Sequence, residues 1–72
     1  MQRRPVESSQ IRSIGYDPAT ETLEVEFKGG EVWQYYHFPE YMWLEFEAAP
    51  SQGKYFNQQI RPRFTPFGTR VE

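Results

Sequence analysis

The chain contains no cysteine and a single histidine, His37, so neither a disulfide framework nor the usual zinc site can hold it together. It also lacks any apolar run of membrane-spanning length. Its first residues, Met1-Gln2-Arg3-Arg4-Pro5, carry no apolar signal segment, and a cytoplasmic protein without membrane contact is expected. A phosphate loop is missing too, because Gly29-Gly30 is not followed by Gly-Lys-Ser/Thr and leads into a strand. Nor can a nucleophile, a base and an orienting group be assembled from local motifs. The expectation is a non-enzyme without catalytic residues, metal or cofactor. Ser8 and Ser9 are expected to bond backbone at a strand entrance or helix end, and His37 to be structural.

What is present is aromatic. The 72 residues suit a single small domain, residues 1–72, whose core can supply only a few kcal/mol beyond the entropy of ordering the chain. Aromatics make up 18% of the residues, so Trp33, Trp43 and the Phe and Tyr side chains must provide most of the buried area. A net charge of −2 argues against a protein held to nucleic acid by bulk electrostatics. That average conceals a polarity: from Asp17 to Glu47 there are eight acids and one base, whereas both ends are net basic.

Strict alternation in Thr22-Leu23-Glu24-Val25-Glu26-Phe27-Lys28 predicts a strand with Leu23, Val25 and Phe27 facing the core. Before it, Ser9 to Tyr16 reads as a strand in which Ile11 and Ile14, three apart, require a bulge or bend near Gly15. Asp17-Pro18-Ala19-Thr20 is the turn between the two. A third strand runs from Glu31 to about His37, and two registers fit the Gly-Gly turn before it. A two-residue turn would put Trp33 and Tyr35 outside, beside Glu24 and Glu26, as an aromatic platform. A three-residue loop over Lys28, Gly29 and Gly30, with Gly30 left-handed in a bulge, pairs Val25 with Trp33 and Leu23 with Tyr35 and leaves Tyr36 outside. The second is favoured, because burying Trp33 gains area while burying Gln34 is costly.

Pro39 to Ala49 predicts a helix with Phe38, Met42, Phe46 and Ala49 on one stripe and Tyr41, Leu44 and Ala48 turned elsewhere. Pro50 ends it. Ser51 caps a second helix through Asn57 to Ile60, with Tyr55, Phe56 and Ile60 buried, and Pro62 stops it. The tail after Arg63 is too interrupted for a central strand, Phe64 is its docking residue, and the termini are expected to be flexible. The expected fold is α+β: a three-stranded antiparallel meander packed against two short C-terminal helices, ahead of a small barrel as the other arrangement.

Several segments in order resemble one family: Val6-Glu7-Ser8-Ser9, Ile14-Gly15-Tyr16-Asp17, the Gly-Gly turn with its aromatic pair, Phe38-Pro39, and Ser51-Gln52-Gly53-Lys54-Tyr55-Phe56-Asn57 with Ile60. Together they are similar to the KTSC domain, over residues from about Val6 to Phe64. That family occurs alone in bacterial and phage proteins and at the C-terminus of some lysyl-tRNA synthetases. Its central Tyr-x-Tyr stands here as Trp33-Gln34-Tyr35, which keeps an aromatic but loses the first phenol hydroxyl. The synthetase context implies RNA, transfer RNA in particular, as a partner of the resembling domain. On the residues, that reading stacks a base on Trp33, Tyr35 or Tyr36 while Lys54, Arg61 and Arg63 meet phosphates. The competing expectation is a protein-interaction module or homodimer using Tyr36, Tyr41 and Leu44, or an uncovered strand edge.

Overall fold

The structure, a computed structural model, describes residues 1–72. Five antiparallel strands lie side by side in chain order: β1 (Arg4–Pro5), β2 (Ile11–Asp17), β3 (Thr22–Phe27), β4 (Val32–Tyr35) and β5 (Gly68–Arg70). Between β4 and β5 the chain makes helix α1 (Glu40–Ala48) and a second helical run. That run consists of α2 (Gln52–Tyr55), a π-helical turn at Phe56–Ile60, α3 (Arg61–Phe64) and a 3₁₀ turn at Thr65–Phe67. The class is α+β, with an antiparallel sheet and two helical segments. The sheet has five strands where three were expected. The two additional strands are edges of two and three residues, too short to show an alternation, and Pro5 is tolerated because an edge strand leaves one row of donors unused.

The three-residue loop sets the central hairpin. Gly30, at φ +99°, donates its N–H to the Phe27 carbonyl at 2.9 Å, and the Phe27 N–H reaches the Glu31 carbonyl at 2.8 Å. Leu23 then faces Tyr35 and Val25 faces Trp33. Between β2 and β3 the irregularity falls between Ile11 and Ser13, so Arg12 is the extra residue, not a residue near Gly15. This bulge turns both Ile11 and Ile14 inward, fully buried, and frees Ser13 for the opposite face. Gly15 meets a different demand: a Cβ there would lie 2.4 Å from the Gln2 carbonyl oxygen, where the N-terminal arm crosses the sheet.

One face of the sheet packs against the helices. Ile14, Leu23 and Val25 join Phe38, which precedes α1, Met42 and Phe46 of α1, and Phe56, Ile60 and Phe64 of the second helical run. Ser51 caps α2, its hydroxyl accepting from the Lys54 N–H at 3.2 Å. Pro62 does not stop this run. The π turn directly before it bonds the Arg61 N–H to the Phe56 carbonyl, and the widened turn makes room for a ring that would clash with the carbonyl four residues back in a regular helix.

The other face is polar and is covered at its β2 side by the arm. Arg3 Nη1 pairs with Glu24 Oε2 at 2.5 Å and its Nε donates to Ser13 Oγ at 3.2 Å. Ser13 Oγ donates to Glu26 Oε1 at 2.8 Å, Gln34 Nε2 to Glu24 Oε1 at 2.8 Å, and the Tyr36 hydroxyl to Gln34 Oε1 at 3.1 Å. No buried side-chain nitrogen or oxygen is left without a partner.

Candidate functional site

An open cleft of about 410 Å³ lies where the β3–β4 hairpin meets the second helical run. The register delivers Trp33 and Tyr35 to it, and the π turn delivers Phe56 and Arg61. Tyr35 is buried and forms the floor, with Phe56 edge-on to it at 5.7 Å between ring centroids. Trp33 is only half-buried and stacks beside Tyr35 at 6.3 Å, the rings within 19° of parallel. Across the opening, the Arg61 guanidinium lies 5.7 Å from the centre of the Phe56 ring, a cation–π distance. Phe27 closes the hairpin end, edge-on to Phe56 at 5.3 Å.

Glu31 stands at the mouth. Its Oε1 accepts from the Trp33 indole N–H at 2.9 Å and lies 3.9 Å from Arg70 Nε on the neighbouring strand. Burial pushes the Tyr35 phenol above its ordinary range, with the nearby Arg61 opposing the shift and Glu31 adding to it, so the floor is neutral at physiological pH. Gly68 of β5 is there to let Tyr35 lie flat: a Cβ on it would stand 2.7 Å from Tyr35 Cε1.

Of the six residues expected to bind RNA, the cleft gathers Trp33, Tyr35 and Arg61. Tyr36 is on the opposite, polar face. Lys54 and Arg63 are exposed on the second helical run and do not line the cleft. The exposed platform of the first register is absent, and a cleft on the core side takes its place. Glu31 and Phe56 belong to the site by geometry. Phe56 is legible in the sequence as a core residue only, and Glu31 carries no signal because its role depends on where the indole of Trp33 comes to lie.

A larger groove of about 820 Å³ runs over the polar face between the arm and Trp43. Its cations are already engaged, Arg3 by Glu24 and Arg4 by the Glu47 carbonyl at 2.9 Å, which makes it the weaker binding surface. Tyr41 and Leu44 are 63% and 53% exposed on α1. Ser8 accepts from the Gln10 and Ile11 N–H groups at 3.3 Å each, the backbone role expected of it. His37, in the left-handed region at φ 60°, is exposed and meets Phe67 edge-on at 5.5 Å. No three His, Asp or Glu side chains gather as metal ligands, and no helix is long and apolar enough to cross a membrane.

The sequence profile of the KTSC domain matches residues 7–64. The chain belongs to the KTSC family. A KTSC domain protein from Yersinia pestis has a crystal structure that superposes with a TM-score of 0.90 at 39% identity, covering 99% of this chain and 97% of that one. A protein of Tsukamurella paurometabola is 43% identical over 61 residues, 85% of this chain and 91% of its own length. A lysine–tRNA ligase of a Nostoc species is 38% identical over 58 residues, 81% of this chain and 10% of the ligase. In this KTSC domain the family's central aromatic pair is therefore the inward-facing pair of β4, and it is also the wall and floor of the cleft.

Proposed function

We propose that this KTSC domain is a non-catalytic binding module that holds single-stranded RNA weakly, with one unpaired base stacked in the cleft. The observation that carries this reading is a half-buried Trp33 and an exposed Arg61 facing one opening above an aromatic floor. A base is a flat apolar ring with polar edges, and an indole face with a guanidinium nearby suits it. Glu24 and Glu26, which would repel phosphate beside the aromatics, are on the opposite face. Phosphates on either side of the stacked base meet Arg61, with Arg63 and Lys54 further along the same helical run. A stacked base contributes about 1–3 kcal/mol. With three or four phosphate contacts the affinity is micromolar or poorer and falls with salt. The match within ligases that act on transfer RNA makes transfer RNA the natural first ligand.

Amide- and indole-resolved NMR during titration with a mixed-sequence single-stranded RNA, and separately with transfer RNA, tests this at low and physiological salt. Saturable shifts on the Trp33 indole, Tyr35 and Arg61 that persist at physiological salt are expected, and Trp33→Ala weakens binding about tenfold. Absence of shifts, or their loss with modest salt, overturns the reading. A protein contact or homodimer is the second reading, favoured by the exposure of Tyr41 and Leu44 on α1. Its test is a concentration-dependent sedimentation coefficient that Leu44→Ser abolishes.

A further inference from the structure

We propose that Glu31 makes the cleft select guanine, an inference that rests on the base-stacking reading above. An indole N–H bond runs in the plane of the ring, so the bond from Trp33 Nε1 to Glu31 Oε1 holds the carboxylate at the edge of the indole. A base stacked on that indole brings its own edge to the same place. The carboxylate is acceptor-only, and Oε2 makes no hydrogen bond within the chain while Oε1 keeps a second lone pair. Two neighbouring acceptors ask for two neighbouring donors. Guanine offers them, N1–H beside the N2 amino group. Adenine and cytosine present one amino group next to a bare ring nitrogen, whose lone pair opposes the carboxylate, and uracil presents one N–H between two carbonyls.

The Glu31 charge disfavours phosphate in place of the base and leaves the backbone to Arg61 across the opening and to the cations beyond it. Arg61 in the cleft argues against a cationic side chain as occupant, although the acid and the aromatic rings alone would accept one. Arg70, 3.9 Å from Glu31 Oε1, steadies the carboxylate from β5 without covering Oε2.

The probe is a set of uridine hexamers in which one central position is G, A, C, U or inosine, titrated into the intact protein while the Trp33 indole N–H resonance is followed. The G hexamer is expected to bind about tenfold more tightly than the A, C and U hexamers, with inosine between them because it keeps N1–H and lacks the amino group. Glu31→Gln is expected to reduce the preference for G over the all-uridine hexamer to about twofold or less. Its side-chain carbonyl still accepts from Trp33, so the indole stays in place. If all hexamers shift Trp33 alike, guanine selection is overturned and base stacking stands. If none does, base stacking falls and guanine selection with it.

Discussion

The two faces of the sheet are built on opposite rules, although they alternate along the same strands. On the helix side Leu23, Val25 and Tyr35 contribute area, packed among the apolar and aromatic side chains of the core. On the arm side Glu24, Gln34 and Tyr36, each one residue away, contribute hydrogen bonds in a chain that ends on Arg3. The lesson is that burial alone does not identify the core. Glu24 is 7% exposed, the same as Tyr35, yet it is held by charge pairing and not by packing. A face stabilised by area is damaged by any loss of volume, while a face stabilised by satisfaction is damaged by the loss of one partner and repaired by the loss of both.

The largest break falls on the helix side. Phe38, fully buried against Phe64 and Tyr16, is expected to cost about 3–5 kcal/mol as Phe38→Ala, enough to unfold much of the population of so small a domain in urea titration. On the arm side, Arg3→Ala strands the Glu24 carboxylate and should cost about 1–3 kcal/mol, while the double change Arg3→Met with Glu24→Leu should recover most of it. A double change as damaging as Arg3→Ala alone would show that the arm, not the charge, holds that face. The hairpin that assigns residues to faces is tested by Gly30→Ala. Its φ of +99° makes any Cβ strained even though no atom lies within 4 Å, and a loss of about 1–2 kcal/mol is expected.

Tyrosines sharpen the contrast with pH. Burial raises the phenols of Tyr16, Tyr35 and Tyr55, and at Tyr55 the hydrogen bond to Glu45 at 2.8 Å raises it further. The folded chain therefore keeps these protons after the unfolded chain has lost them. Their contribution is complete below the ordinary value of 10.0 and disappears as pH climbs through the higher folded values. Urea midpoints should be level up to about pH 9 and drop beyond pH 10, with Tyr55→Phe blunting the drop. The smallest effect belongs to neither face: Tyr41→Ser, on exposed helix surface, should change stability by no more than about 0.5 kcal/mol.

Much of this arrangement could be read from residues. The alternation of Leu23, Val25 and Phe27 and the spacing of Phe38, Met42 and Phe46 have one sensible folding each. The register followed from weighing Trp33 against Gln34 for burial. The edge strands had no such signal, since two or three residues at the ends of a chain pair only because a neighbour is already in place. Pro62 misled for a related reason. A proline ends a regular helix, but a wider turn before it needs no particular residue and leaves no mark in the sequence. The cleft was legible in part, through Trp33, Tyr35 and Arg61. Its acidic mouth depends on a single indole hydrogen bond and was not.

Because strand order follows chain order, each of the first four strands finds its partner across a short turn and can close early in folding. β5 is different: it returns to β4 only after the chain has traversed both helical segments, and that longer connection costs more entropy to close. The strand is held to β4 by three residue pairs, against four between β3 and β4, so β5 detaches more readily than β4 does. Fraying of that edge opens the sheet beside Trp33, opposite Arg70. The cleft can then breathe on its own while the rest of the molecule stays folded.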